Sequence, residues 1–202
     1  MDAEITRISL LSRVRDGTDG AAWAEFESRY RELILRYALA RGVQHADAED
    51  IGQIVMMSLA TALRNFSYSP QRGRFRDYLG RVVRNAVARL RSRPNPTAPV
   101  LSSIDTATEP DDDSQTDRLW EQEWVDHHYR LALRTVRATF EPKSVEIFEG
   151  LIGGKTVAEA AAEHGLSTQA VHKIKQRIRG RMEELIAAQV RDEDEPDETR
   201  IE

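Results

Sequence analysis

Residues 156–182 read TVAEAAAEHGLSTQAVHKIKQRIRGRM. Thr156 and Glu159 have the spacing of a capping box, in which each side chain satisfies a backbone N–H left open at a helix start. A helix over 156–163 is therefore expected, with Ala160 and Ala161 small enough for close packing. His164-Gly165-Leu166 turns the chain and Ser167 can cap a second helix, from Thr168 to about Ala188. Along it Val171, Ile174 and Ile178 share one face, while Lys173, Lys175, Arg177, Arg179 and Arg181 follow with no acid among them. Two helices joined by a glycine turn, the second of them basic, form a helix-turn-helix pattern whose second helix suits a DNA major groove. Ser167, Thr168, Gln169, His172, Lys173, Lys175, Gln176 and Arg177 are its candidate DNA contacts. An ordinary helical hairpin with a solvated basic face is the alternative.

Upstream the same helical period recurs. Trp23, Phe26, Tyr30, Leu33 and Tyr37 line one face of a helix that Gly42 stops, and a shorter helix over about 5–14 precedes it. Ile51, Val55, Leu59, Leu63 and Phe66 mark a third helix beginning near Asp47. Residues 67–73, with Pro70 and Gly73, form a loop, and a fourth helix covers 75–91. Four prolines, with Ser, Thr and Asp, leave too little apolar surface in 94–117 for a core. Helical pattern resumes at Leu119, Trp120 and Trp124, and a further helix spans 143–151; no strand shows clean alternation. The expected fold is all-α: two small helical domains, 1–93 and 118–190, joined by a flexible acidic linker at 94–117 and followed by an acidic, disordered tail at 191–202.

The chain has 202 residues and a net charge of −5, but the charge is segregated. Residues 105–117 and 191–202 carry −6 and −5, leaving +6 on the remainder. Eight arginines against Asp77 fall within 72–93. Screening makes local charge count more than the total, so these stripes are footprints for phosphate. Phe66, Tyr68, Phe75 and Tyr78 flank the first stripe and could stack unpaired bases; the alternative puts Phe75 and Tyr78 in the core. No cysteine is present, which fits a reducing compartment. No signal-peptide or membrane-length apolar run occurs, so a cytoplasmic chain without membrane insertion is expected. No nucleophile, P-loop or dinucleotide motif appears, and His45, His127, His128, His164 and His172 lack metal-ligand spacing; neither catalysis nor a cofactor is expected. His127 and His128, adjacent on a helix, are expected at its surface.

Asp47-Ala-Glu-Asp-Ile-Gly-Gln53, then Phe75-Arg-Asp-Tyr-Leu-Gly-Arg-Val-Val-Arg-Asn85, then the basic helix-turn-helix, resemble in that order the extracytoplasmic function sigma factors of bacterial RNA polymerase. The resemblance covers about 15–93 and 130–186. It implies a first domain that grips core RNA polymerase and opens the minus-ten element, and a second that binds the minus-thirty-five element as duplex. It assigns Asp47, Glu49, Asp50 and Gln53 to the polymerase. Tyr68, Arg72, Arg74 and Phe75, with Tyr78, go to the base-capturing region, and Arg84, Asn85 and Arg89 to the melted strand. Ile54 stands where the family usually has an acid, and Val171-His-Lys-Ile-Lys replaces a commoner Val-Lys-Ser-Arg, so the promoter sequence is not transferable. An anti-sigma partner is the family's common arrangement, and nothing in this sequence identifies one. The rivals are a stand-alone helix-turn-helix regulator and a helical interaction protein without DNA.

Overall fold

The computed structural model describes residues 10–15, 17–63, 74–92 and 114–194, with the side chains of 114–117 and 194 left aside. All elements among them are helical: α1 (Leu10–Arg15), α2 (Gly20–Ala40), α3 (His45–Ala62), α4 (Phe75–Arg91), α5 (Ser114–Thr139), α6 (Pro142–Ile152), α7 (Val157–His164) and α8 (Thr168–Asp194). They fall into two compact units, Met1–Val125 together with Arg191–Glu202, and Asp126–Val190. Helices α5 and α8 contribute residues to both.

In the first unit α2 starts where Asp19 accepts a hydrogen bond from the Ala22 N–H at 2.8 Å. Its period buries Phe26, Tyr30, Leu33, Ile34 and Tyr37 completely or nearly so. Ile51, Val55 and Leu59 of α3 and Phe75, Leu79, Val82 and Val83 of α4 meet them. Gly42, at φ 78°, ends α2 in a conformation that glycine adopts without steric cost.

The core is completed from far along the chain. Trp120 and Trp124 of α5 lie 2% and 4% exposed in the same cluster. Trp120 meets Tyr37 edge-on at 5.3 Å, and Trp124 stacks beside Tyr30 at 6.4 Å. Gly80 of α4 makes room for this: a Cβ there would stand 2.6 Å from the Trp120 ring nitrogen. These tryptophans had been expected in the second domain. The helical period marks their apolar face and does not say which surface receives it.

The acidic tail needs a similar correction at its start, because α8 continues to Asp194 and Glu193 is 3% exposed. Tyr30 Oη donates to Glu193 Oε1 at 2.6 Å, and Arg29 pairs with Asp192 at 2.7 Å. Most of the expected linker, 94–113, and the end of the tail, 195–202, lie outside the described residues.

The second unit has two adjoining apolar clusters. Ala132, Val136, Val145, Phe148, Ile178 and Met182 form one, and Ile147, Ala160, Ala161 and Val171 the other, with Leu166 and Ile174 packed against it. His127 and His128 are 0% and 2% exposed, contrary to the expected surface position, and His128 Nδ1 lies 2.9 Å from Gln189 Oε1. Two adjacent positions on one helix are both covered because α5 is packed on more than a narrow stripe.

Candidate polymerase and nucleic-acid surfaces

On α3 the period that buries Ala48, Ile51 and Val55 turns Asp47, Asp50 and Gln53 outward, all exposed. Met57, one turn further along that face, is 56% exposed. Two carboxylates, a carboxamide and an uncovered thioether thus form a mixed acidic and apolar strip along α3. Met57 was not singled out in the sequence, where an exposed methionine looks like any other helix residue. Glu49 is set apart from the strip: it is half-buried and accepts from Arg31 of α2 at 2.6 Å. That bond is the main reason the Arg31 guanidinium holds its proton beyond its usual range.

The arginine-rich helix α4 is the second surface. Arg74, its N-cap residue, is exposed, and its backbone N–H donates to Asp77 Oδ2 at 3.3 Å. Arg81 and Arg91 are exposed, and Arg84, Arg89 and Tyr78 half-buried. Burial raises the Tyr78 hydroxyl above its ordinary pKa, so it stays protonated and able to donate. Phe75 is fully buried against Phe26 and Tyr30, which agrees with the core alternative and takes it away from the base contacts. Asn85 is 7% exposed, beneath the arginine surface rather than on it. Tyr68, Arg72 and the remainder of the 64–73 connection lie outside the described residues.

The third surface is built by residues 156–182. Thr156 Oγ1 accepts from the Glu159 N–H at 3.2 Å, and Glu159 Oε2 accepts from the Thr156 N–H at 2.8 Å, closing the capping box. The backbone N–H of Thr156, then its hydroxyl, holds the Glu159 carboxyl below the usual carboxylate range. Helix α7 ends at Gly165, whose φ of 63° is left-handed, and the Leu166 N–H returns to the Ala161 carbonyl at 2.9 Å. Ser167 then caps α8 by accepting from the Ala170 N–H at 3.1 Å.

Val171 and Ile178 of α8 are fully buried, so Gln169, His172, Lys173 and Gln176 share the opposite, exposed face. Ser167, Thr168, Lys175 and Arg177 are exposed as well. The Arg177 guanidinium lies 5.3 Å from the Phe140 ring centre, a cation–π contact that fixes it near the α5–α6 turn. All eight candidates of this segment are therefore exposed. Among the described residues no group of histidine, cysteine or carboxylate side chains could hold a metal, and no helix is long and apolar enough to cross a membrane.

Arg29, which the sequence reading passed over, and Arg76, counted there only within the basic stripe, also matter. Arg29 precedes Tyr30 on α2 and Arg76 follows Phe75 on α4, and those two rings meet at 5.4 Å. Arg29 is held by Asp192, and Arg76 by Glu121 and, at 5.8 Å, by the Trp124 ring.

No curated protein and no solved structure matches the chain. Residues 28–95, about a third of the chain and comprising most of α2, all of α3 and α4, match the family model described as Sigma-70 region 2. This match supports a sigma factor of the sigma-70 family.

Proposed function

We propose that the protein is a sigma factor of the extracytoplasmic function type, which binds core RNA polymerase and directs it to promoters without catalysing a reaction of its own. The observation that carries this reading is the order of three surfaces on one chain: an acidic α3 strip and a basic α4 inside the region 2 match, then a capped, basic α8 outside it. The α3 strip of Asp47, Asp50 and Gln53 grips the polymerase, with Met57 as its apolar centre. Glu49 supports the strip through Arg31. Arg74, Tyr78, Arg84 and Arg89 meet the minus-ten DNA, together with Tyr68 and Arg72, while Asn85 acts from beneath. In 126–190, α7, its turn and α8 act as a helix-turn-helix on the minus-thirty-five duplex. Gln169 and His172 read base edges in the first turns, and Arg177 further along meets phosphate.

A stand-alone regulator explains α8 and leaves the α3 strip and α4 arginines without work. The test is Asp50→Arg, which reverses an exposed charge while leaving the α3 core untouched. Reversal at an interface commonly costs about 2 to 5 kcal/mol when the contact is buried in the complex. Loss of co-purification with core polymerase at unchanged helicity is expected; wild-type affinity would remove α3 from the interface. An anti-sigma factor remains a partner of the family type, and a cytoplasmic location follows from this reading.

A further inference from the structure

Arg29 of α2 and Arg76 of α4 are both held by carboxylates from outside the region 2 match. Arg29 is paired with Asp192 at 2.7 Å and lies 3.9 Å from Glu193, and Arg76 is paired with Glu121. The arginine side chains are 15% and 20% exposed, while Asp192 and Glu121 are 34% and 56% exposed. Glu193 is sealed in, accepting from the Tyr30 hydroxyl, which burial and then Glu193 itself keep protonated well above its ordinary range. Burial works against the Arg29 charge, yet with the Glu193 and Asp192 carboxylates beside it its pKa stands above the ordinary value.

Resting on the reading of α4 as a nucleic-acid surface, we propose that Glu121, Asp192 and Glu193 are a built-in acidic cover that occupies Arg29 and Arg76 in the free protein and yields them to nucleic-acid phosphates. The geometry fits such exchange. A carboxylate on a guanidinium occupies the place a phosphate oxygen would take, in the same charge-assisted bond. Partly exposed ion pairs add little net stability, so Glu121 and Asp192 can be traded for phosphates at small cost. The cover also accounts for Asp192 and Glu193, at the end of α8, lying against the Arg29 and Tyr30 side chains. It lowers the number of arginines the free protein offers to arbitrary DNA, leaving the exposed Arg74, Arg81 and Arg91 for first encounter.

The experiment titrates the full chain onto a fluorescein-labelled single-stranded DNA oligonucleotide over a potassium chloride series. The wild type is compared with a Glu121→Gln, Asp192→Asn, Glu193→Gln triple variant. A triple control at exposed acids elsewhere, Asp126→Asn, Glu141→Gln and Glu146→Gln, changes net charge equally. The cover variant is expected to bind at least about fivefold tighter at low salt than this control, with a salt slope steeper by about 1.4, since each added phosphate contact on a single strand contributes about 0.7. Glu121→Gln alone, at a mostly exposed side chain, should steepen the slope by about 0.7 and guards against misfolding of the triple variant. Slopes equal to the control overturn the cover even when the same preparations bind promoters with core polymerase. Preparations that bind no promoter with core polymerase overturn the sigma reading, and the cover falls with it.

Discussion

The two units reach their cores by opposite routes. In the second, the candidate DNA surface is contiguous: capping box, glycine turn, Ser167 cap and exposed face lie within 156–177, and each local bond joins residues a few positions apart. The first is assembled from α1 to α4 together with Trp120, Trp124 and Glu193, and its Tyr30–Glu193 bond spans 163 positions. Local chemistry therefore announces the second unit, whereas the first has to be matched as a whole, and it is the first that the family model recognises. A short capped motif is cheap in sequence information and occurs on many chains. An arrangement spread over three helices is harder to meet by accident.

The comparison breaks most readily at Trp120. Trp120→Ala should cost about 3 to 5 kcal/mol, because a large ring buried between α2 and α4 leaves a cavity that helices cannot fill. Urea unfolding should show this loss, and a variant as stable as wild type would remove α5 from the first unit's core. Gly80→Ala attacks the same contact from the other side. The added methyl collides with the Trp120 ring, and overpacking of this kind costs about 1 to 3 kcal/mol. If Gly80→Ala is instead stabilising, as a glycine replacement inside a helix ordinarily is, Trp120 does not sit there.

In the second unit the effects are smaller because they are local. Gly165→Ala places a side chain at φ 63° and should cost about 1 to 2 kcal/mol, seen as a lower Tm. Least of all is the pH dependence of the capping box. The Glu159 carboxyl has its folded pKa depressed from the ordinary 4.5, chiefly by the Thr156 backbone N–H. Its contribution is thus full above that ordinary value and is lost as the pH falls through the depressed one. The Tm difference between wild type and Glu159→Gln should narrow as the solution is acidified over that window. A difference that widens on acidification would contradict the box.

The same contrast explains what could be read from sequence. The 3.6 period identified α2, α3, α4 and the apolar faces within them, and the turn chemistry of Thr156, Gly165 and Ser167 located α7 and α8. Trp120 and Trp124 were visible as an apolar face but carried no mark of their partner. Asp192 and Glu193 looked like solvated charge because a run of acids gives no sign that its first members meet Arg29 and Tyr30. Phe75 stood between arginines with two readings open, a stacking platform or a core residue, and its full burial favours the core. Among the three surfaces, Gln169 and His172 were legible because a solvent face is the complement of a clear buried one. Arg29 was not, and Arg76 was visible only as one arginine of a stripe, since their partners Asp192 and Glu121 lie far away in the chain.

The central claim is that the α3 strip, the α4 arginines and α8 act together as a promoter-directing subunit. Run-off transcription with purified core polymerase on a randomised promoter library tests it directly. The account predicts that adding the protein enriches transcripts from templates sharing two separated elements, that Asp50→Arg abolishes all of them, and that Gln169→Ala relaxes selection in the upstream element alone. Transcription that is no more selective than with core polymerase by itself, alongside sequence-specific duplex binding by the isolated protein, would contradict it.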